Sequence, residues 1–462
     1  MNGTRVATGS TSRANTGYAI FISLVAAMSG LLFGYDLVII SGAQIFLKNH
    51  FSLSPGQLGF AVSSALLGCI AGPSLGAWLC DSKGRKTTLV IAGCLFAAGA
   101  VGTALATSIT TFNLFRIGGG IGVGVSSLAA PLYIAEVAPK RWRGRLGFMY
   151  QLTITIGALA ATLVAYFLAR YVAPDLCWRL MLASVLIPVA GFMILVVGLP
   201  QAPRWLAESG RYAEALSILA RIDGEEEAAK EMEEIRNSLA EETGSLGELF
   251  QPGIRMALFV GIVLALFNNW TGWTGVSYYL PMLFQQSGYP EASAAIGADV
   301  FVWAGMVILT AVSGSLVDRF GRRPIWLAAS VAMVICLVSA GWLFQLHVRG
   351  AWSIFAIFLC AAPHSMGFGP LPWLMMSELF PTRIRARAVS ITTTCLWIAG
   401  FTSPFAFPVI EAASRRLLGT VSGVFWFYAV VCVISFVWAV KFLPETKGRS
   451  LEEIARSWEV GS

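Results

Sequence analysis

Apolar residues occur along this chain in long runs that are separated by short polar segments. We count twelve runs that could cross a bilayer as helices, because about 20 residues at about 1.5 Å each span the hydrocarbon core. Their approximate bounds are 18–41, 57–79, 87–107, 112–134, 146–168, 178–199, 254–284, 295–317, 324–345, 352–380, 387–412 and 420–443. The pattern predicts an all-α membrane protein with twelve transmembrane helices.

One long polar segment, 201–251, interrupts the pattern between the sixth and seventh runs. It contains two apolar stripes with helical spacing, formed by Ala215, Leu216, Leu219 and Ile222 and by Met232, Ile235 and Leu239. These stripes predict short amphipathic helices in a cytoplasmic linker. We therefore divide the chain into an N-terminal tail (1–17), a first six-helix half (18–200), the linker (201–251), a second six-helix half (252–443) and a C-terminal tail (444–462).

The composition agrees with a membrane protein. Hydrophobic residues make up 56% of the chain and charged residues 12%, and the mean hydropathy is +0.71. A soluble domain is about a quarter charged, so this composition excludes an ordinary soluble protein. The eight cysteines are scattered without a C-x-x-C pair, which favours apolar packing over a disulfide or metal framework. We expect neither a metal nor a cofactor.

The basic residues predict the orientation. With both termini in the cytoplasm, 25 of the 32 lysines and arginines fall on the cytoplasmic side, as the positive-inside rule requires. The net charge of +7 is therefore a topology signal, and we expect no nucleic-acid partner. The chain is predicted to be a multi-pass protein of the plasma (inner) membrane, functional as a monomer.

The two halves repeat one motif. Asp81-Ser82-Lys83-Gly84-Arg85-Lys86 follows the second run, and Asp318-Arg319-Phe320-Gly321-Arg322-Arg323 follows the eighth. Glu136 precedes Arg143 and Arg145 with the same spacing by which Glu378 precedes Arg385 and Arg387. Parallel repeats are a transporter architecture, with the substrate near the midplane between the halves. We predict a cytoplasmic charge gate formed by Asp81, Arg85, Glu136, Arg143, Arg145, Asp318, Arg322, Glu378, Arg385 and Arg387.

Asp36 is an acid inside the first apolar run. A charge in such a position costs a few kcal/mol and usually marks an ion or proton path. A structural ion pair, or an acid just beyond the membrane edge, is the alternative. Two other features have plainer explanations. The glycines from Gly118 to Gly124 favour G-x-x-x-G helix packing, as at Gly118 and Gly122, over a phosphate loop. His364 fits a hydrogen-bonded helix histidine better than a second proton group.

Several motifs together resemble the sugar porter family of the major facilitator superfamily, over nearly the whole chain. They are Phe-Gly-Tyr-Asp at 33–36, the two D-x-x-G-R-[KR] loops, Arg116, Pro-Leu-Tyr-Ile-Ala-Glu at 131–136 with Arg-Gly-Arg at 143–145, Gln-Leu at 151–152, Pro-Arg-Trp-Leu at 203–206, Tyr-Tyr at 278–279, 369–373, Ser-Glu-Leu-Phe-Pro at 377–381 and Pro-Glu-Thr-Lys-Gly at 444–448. The resemblance implies a secondary transporter that moves a monosaccharide or related polyol by proton symport and alternating access. It does not imply an enzyme.

The resemblance also implies which residues line the sugar pocket. These are Phe33, Gln151, Asn268, Asn269, Thr274, Tyr278, Gly369, Trp373 and Trp397. Amide side chains offer donors and acceptors to sugar hydroxyls, and aromatic rings suit the C–H faces of the sugar. Compared with the family, shorter or less polar residues stand at Asn268, Asn269, Thr274, Met306 and Leu396, and Gln201 replaces a glutamate. These departures leave a hexose, a pentose, a polyol or a cyclitol open.

The resemblance places Arg116 beside Asp36. A paired carboxylate stays ionised, and its protonation would release the arginine, so the pair can act as a switch. We expect Asp36 and Arg116 to couple transport to protons. An uncoupled facilitator is the close alternative. A nutrient sensor built on a transporter fold is a distant alternative. Such proteins tend to have long cytoplasmic tails, whereas the tails predicted here, 1–17 and 444–462, are short.

Overall fold

The computed structural model describes residues 15–139, 142–240, 246–251, 254–380 and 382–447. Its helices are α1 (Thr16–His50), α2 (Pro55–Lys83), α3 (Arg85–Ala104), α4 (Ile109–Val137), α5 (Arg143–Tyr171), α6 (Pro174–Ala183), α7 (Leu186–Val197), α8 (Pro203–Glu208), α9 (Tyr212–Asp223), α10 (Glu225–Ala240), α11 (Ile254–Trp270), α12 (Trp273–Ser277), α13 (Leu280–Gln286), α14 (Ala292–Phe320), α15 (Arg322–Gln345), α16 (Ala351–Pro363), α17 (Pro370–Glu378), α18 (Thr382–Leu418) and α19 (Ser422–Phe442). A 3₁₀ turn (Leu246–Phe250) precedes α11, and a π-helical segment (His364–Phe368) joins α16 to α17.

Twelve helical segments in the described part of the chain are long and apolar enough to cross a membrane. Nine are single helices, and three are composite: α6 with α7, α11 with α12, and α16 with the π segment and α17. The predicted all-α fold with twelve transmembrane helices is confirmed. Most of the N-terminal tail and most of the C-terminal tail lie outside the described residues.

Two predicted runs differ from the helices in a way that concerns the site. The first run was predicted to end at 41, but α1 continues to His50. Hydropathy missed this extension because it contains Gln44, which is fully buried and donates through Nε2 to the carbonyl oxygen of Tyr278 at 2.5 Å. The run 254–284 was predicted as one helix, but it is broken at Gly272, whose φ of +108° lies outside the helical region.

The two halves meet along two equivalent helix pairs. Helix α2 packs against α18, and α14 packs against α5. By position in the repeat, these are span two against span eleven and span eight against span five. A repeat related by an axis along the membrane normal produces this exchange of partners. The arrangement leaves α1, α5, α11–α12 and α17–α18 around a central cavity.

Within the first half, α2 and α4 touch backbone to backbone. A methyl group added at Gly120 would overlap the carbonyl oxygen of Ala65, and one at Gly124 would lie 2.7 Å from the Cα of Gly72. Close packing of small residues is a common means of association between membrane helices. The predicted pair Gly118 and Gly122 was the wrong choice, because nothing lies within 4 Å of a methyl group at Gly118. Gly122 faces α3 instead.

The repeated D-x-x-G-R motif turns the chain between α2 and α3 and between α14 and α15. Gly84 and Gly321 have φ values of +85° and +88°, which only glycine adopts without strain. A side chain at Gly84 would also collide with Gln201, and one at Gly321 with Glu445. The same tight turn is therefore present in both halves.

Helices α8–α10 form the predicted linker. Leu206, Ala215, Leu219, Ala228 and Met232 make a small core of their own. Leu216 was predicted to belong to this stripe but is 40% exposed, and the side chain of Leu239 lies outside the described residues. Below, the side of the bundle that carries α8–α10 is called the linker face and the opposite side the distal face. Helix α1 begins at the linker face, where the backbone of Asn15 donates to Arg221.

The backbone contact between α2 and α4 predicts a difference between two identical substitutions in one helix. Gly120→Ala should lower the stability of the folded protein by about 1–3 kcal/mol, because the added methyl overlaps the backbone of α2. Gly118→Ala should be neutral or stabilise by up to about 1 kcal/mol, because alanine favours helix and meets no neighbour. Thermal unfolding of the two purified variants in detergent, followed by size-exclusion chromatography, measures the difference. Equal melting temperatures would contradict the role assigned to Gly120.

Candidate functional site

A cavity of about 400 Å³ lies between the two halves. Helix α1 contributes Phe33, Leu37 and Ser41 from one face, and α5 contributes Tyr150 and Gln151. The structure brings all the residues predicted for the sugar pocket to this cavity: Phe33, Gln151, Asn268, Asn269, Thr274, Tyr278, Gly369, Trp373 and Trp397. The volume is within the usual range of about 300–1,000 Å³ for small-molecule sites.

Two of the membrane spans of the second half that line the cavity are interrupted. The seventh span breaks between α11 and α12, and the tenth passes through the π segment before Gly369 and Pro370. Interrupted membrane helices and π segments are typical of binding sites, because they release backbone carbonyls from the helical ladder. The carbonyls of Phe368 and Gly369 are used in this way.

Asn268 and Asn269 both donate to backbone carbonyl oxygens of neighbouring spans. Nδ2 of Asn268 donates to the carbonyl of Phe368 at 2.6 Å and to that of Gly369 at 3.3 Å. Nδ2 of Asn269 donates to the carbonyl of Leu396 at 3.0 Å, and its Oδ1 accepts from Thr274 at 3.2 Å. These bonds join α11 to the tenth and eleventh spans. They use part of the hydrogen-bonding capacity of the two amides, and the binding of a sugar by Asn268 and Asn269 stays a prediction.

Aromatic rings form the other wall of the cavity. The ring of Trp397 lies 5.6 Å from that of Phe33 and 6.5 Å from that of Trp373, centroid to centroid. Trp273 lies 6.2 Å from Trp303 and 6.2 Å from His364. The wall thus joins a first-half residue, Phe33, to residues of four spans of the second half. Such faces are suited to the C–H surface of a sugar.

Asp36 and Arg116 form an ion pair beside the cavity, within the membrane-spanning region. Nη1 of Arg116 lies 3.0 Å from Oδ1 of Asp36, and both terminal nitrogens donate to the carbonyl oxygen of Asp36 at 3.3 Å. The two side chains are 8% and 2% exposed. Oδ2 of Asp36 and Nε of Arg116 are buried without a hydrogen-bond partner in the described structure. Asp36 is thus buried well inside the candidate membrane span Thr16–His50.

Helix α1 links the ion pair to the cavity. Phe33, Leu37 and Ser41 face the cavity, while Asp36 points to α4. Helix α1 is held against α5 without intervening side chains, because a methyl group at Gly34 would overlap the carbonyl oxygen of Ile154. A change in the ion pair can therefore reach the cavity wall through one rigid helix.

On the linker face, each half forms its own arginine–glutamate pair. Arg85 lies 2.9 Å from Glu136 and 3.4 Å from Glu208, and Arg322 lies 2.7 Å from Glu378. Thr446 also donates to Glu378, at 2.5 Å. These four predicted gate residues are thus paired inside the halves.

The other predicted gate residues are arranged differently. Asp81 is exposed, and its carbonyl oxygen accepts from the indole of Trp205 at 2.9 Å. Arg145 lies over the ring of Trp142 at 5.1 Å, and Arg385 donates to the carbonyl of Phe380 at 3.2 Å. Arg387 is half-buried. The side chains of Arg143 and Asp318 lie outside the described residues.

Three groups at the cavity were not predicted as site residues. Ser41 and Trp303 line it, and Asp299 is completely buried behind them. Asp299 lies inside the eighth apolar run, so the rule that singled out Asp36 would also have found it. His364 lines the cavity too, and its Nδ1 is buried without a hydrogen-bond partner among the described residues. The hydrogen bond that the sequence analysis favoured for this histidine is therefore not found at Nδ1.

No group of three or more His, Cys, Asp or Glu side chains that could hold a metal ion occurs in the described ranges. The described cysteines are free, and five of the eight are buried. What the cavity offers is a set of aromatic faces, a few polar side chains and a neighbouring ion pair. This arrangement is suited to binding and to movement of a proton.

Comparison with known proteins agrees with this arrangement. Residues 22–458 match the family model described as "Sugar (and other) transporter". The chain is 38% identical over 448 residues to the arabinose-proton symporter of Bacillus subtilis (96% of this chain, 95% of the relative). It is 34% identical over 477 residues to the D-xylose-proton symporter of Escherichia coli (96% of each).

Solved structures of the E. coli xylose transporter XylE are similar as well. The inward open form has a TM-score of 0.84 at 32% identity and covers 96% of this chain and 100% of that chain. The form bound to 6-bromo-6-deoxy-D-glucose has a TM-score of 0.79 at 33% identity, with the same coverage. The chain belongs to the sugar transporter family of the major facilitator superfamily.

Proposed function

We propose that this chain carries a monosaccharide or related polyol across the inner membrane together with protons, by alternating access. The observation that supports this most directly is the Asp36–Arg116 pair on the back of the helix that lines the cavity. An acid and its cation are costly to place inside a membrane, and such residues usually mark a functional site. Relatives at 38% and 34% identity are named as proton symporters for arabinose and for D-xylose.

In the proposed cycle, Asp36 takes a proton from the distal side and loses its ionic attraction to Arg116. Helix α1 is then free to shift against α4, and the loaded carrier turns toward the linker face. One charge carried through the membrane potential gains about 2.3 kcal/mol per 100 mV, or about fiftyfold in accumulation. The linker face, with both termini, is cytoplasmic in this proposal, as the distribution of lysine and arginine supports.

The contacts between the halves favour a state that is closed on the distal face. Gln44 and Ser41 of α1 hydrogen-bond to Tyr278 and Asp299 of the second half. On the linker face, the arginine–glutamate pairs described above join elements of one half or its linker.

Uptake by purified protein in liposomes tests the substrate and the coupling together. With the interior alkaline, we expect accumulation of at least one of arabinose, xylose and galactose, and loss of that accumulation when the pH gradient is collapsed. A polyol in the same panel tests whether a ring is required. If uptake proceeds only to equality on both sides whether or not a gradient is present, the protein is an uncoupled facilitator.

Replacement of Asp36 by asparagine should separate coupling from binding. Asp36→Asn keeps the shape of the side chain but cannot ionise, so it should abolish the accumulation of about fiftyfold per 100 mV while sugar exchange continues. Counterflow and gradient-driven uptake in the same liposomes measure the two activities. Asp175→Asn, which alters an exposed acid of α6, is the matched control and should change neither. Accumulation by Asp36→Asn would show that Asp36 does not couple transport to protons.

The hydrogen bonds of Asn268 predict an effect on binding. Asn268→Asp keeps the size of the side chain but replaces the donor that meets the carbonyls of Phe368 and Gly369. The unpaired buried carbonyls should destabilise the arrangement of α11 and the tenth span that forms the pocket by about 1–3 kcal/mol. Because sugar binding requires that arrangement, the dissociation constant of the sugar should rise by about ten- to a hundredfold. Titration calorimetry measures it, with Asn49→Asp at an exposed site as control. An unchanged dissociation constant would mean that the junction of α11 with the tenth span does not shape the pocket.

A further inference from the structure

Asp299 is a second carboxyl within the membrane-spanning region, on the opposite half from Asp36. It lies in α14 and is 0% exposed. Its Oδ2 accepts a hydrogen bond from Oγ of Ser41 at 3.2 Å. Ser41 belongs to α1 and lines the cavity. This hydrogen bond therefore joins the two halves at the cavity wall.

The other oxygen of Asp299 meets no cation among the described residues. Oδ1 of Asp299 and Nε1 of Trp303, one turn farther along α14, are both buried without a well-formed hydrogen bond in the described structure, and the Trp303 indole is the neutral polar group that interacts with the carboxyl. Within the same described ranges, no salt bridge to Asp299 is found. Asp36, by contrast, lies 3.0 Å from the guanidinium of Arg116. Asp36 and Asp299 thus differ in whether a cation lies beside the carboxyl, and this governs the cost of a buried charge.

The helices that pack against α14 bring no cation to Asp299 among the described side chains. The neighbouring elements are α1, α5, α13, α15, α16 and the π segment. The ionisable groups that face this part of α14 are Tyr166 of α5, which packs on Gly297, Tyr278 ahead of α13, and His364 of the π segment behind Trp273. Helix α16 contributes Cys360, whose thiol donates to Ala356.

The remaining charged groups on those helices lie elsewhere. Asp36 is paired with Arg116, and the others stand within a few residues of helix ends: Lys48 and His50 on α1, Arg145 and Arg170 on α5, Arg319 on α14, and Arg322 and Arg323 on α15. Moving an unpaired carboxylate into an apolar interior costs far more than moving the neutral acid. Closing α1 over Asp299 is therefore much cheaper when the acid carries a proton.

We propose that Asp299 is a second proton-binding residue, which must be neutral for the distal face to close over the substrate. This inference depends on the alternating access proposed above. When the distal face opens, Ser41 and Asp299 part because they belong to different halves, and water reaches the carboxyl. The carboxylate then takes one proton from the distal solvent to become the neutral acid before α1 returns. That proton stays with the gate, whereas the proton on Asp36 is the one carried across.

The proposal predicts a pH dependence that survives when coupling is removed. In Asp36→Asn liposomes at equal pH on both sides, sugar exchange should fall by up to about tenfold per pH unit over the alkaline range, as linkage to one proton requires. With Asp299→Asn added, exchange should change by less than about twofold from about pH 6 to about pH 9. An equally steep fall in the double variant would overturn the proposal.

Two further arms identify the group. The slope should persist in Asp36→Asn with His364→Gln, whatever the rate, and loss of the slope there would assign it to the histidine and overturn the proposal. Asp299→Asn alone should still accumulate sugar under a pH gradient. If it exchanges sugar but does not accumulate it, Asp299 carries the coupling proton and the gate assignment is wrong.

The result can be read separately from the role of Asp36. If Asp36→Asn still accumulates sugar, the coupling assignment fails, but the slope and its loss with Asp299→Asn can still be measured. Should Asp299→Asn not be recovered in the folded state, Asp299→Thr supplies another neutral hydrogen-bonding side chain. A folded neutral variant without exchange at any pH would refute the requirement for a neutral side chain.

Discussion

The ion pair of Asp36 with Arg116 is the interaction around which the first half is arranged. Burying both charges is tolerable only because they lie 3.0 Å apart and the guanidinium also reaches the backbone of Asp36. That geometry requires α4 to approach α1 closely, and α4 is positioned by its glycine contacts with α2. On another side, α1 packs directly against the backbone of α5 at Gly34. Removal of either partner would leave an uncompensated charge, which is far costlier than losing the pair.

The turn at the repeated D-x-x-G-R motif is bonded by a carboxylate in the second half and by an amide in the first half. Glu445 accepts hydrogen bonds from the backbone nitrogens of Arg322 and Arg323 at the start of α15, both at 3.1 Å. Gln201, at the same place in the first half, accepts one from Lys86 at 3.2 Å and donates to Thr87 at 3.0 Å. A carboxylate at a helix N-terminus is favoured by the helix dipole, whereas an amide is only hydrogen-bonded. The second half therefore gains an electrostatic contribution at this turn, whereas in the first half Gln201 makes a further hydrogen bond, from Nε2 to the carbonyl oxygen of Lys83 at 3.3 Å.

Sequence periodicity was sufficient for the fold because membrane spans need only length and hydropathy. It also located Asp36, since an acid in an apolar run is conspicuous. It did not show how Asn268 and Asn269 are oriented, because their donors meet carbonyls that are accessible only where other spans are interrupted. The residues of the pocket followed from family motifs, whereas Asp299 belongs to none of the motifs that carry the resemblance. The orientation of a buried polar group depends on contacts between distant segments, and a single sequence does not display them.

The choice of substrate depends on the polar groups of the cavity that are not already used in hydrogen bonds within the protein. Asn268 and Asn269 each donate to backbone carbonyls, and Leu396 and Met306 are buried apolar side chains. The second half thus presents rings together with Thr274, Ser277 and His364, while Gln151 and Ser41 are polar groups from the first half. A sugar held in this way contacts rings on one side and hydrogen-bonding groups on the other. Because Ser41 lines the cavity and also donates to Asp299, one hydroxyl belongs both to the substrate site and to the contact between the halves, which links recognition of the substrate to the distal gate.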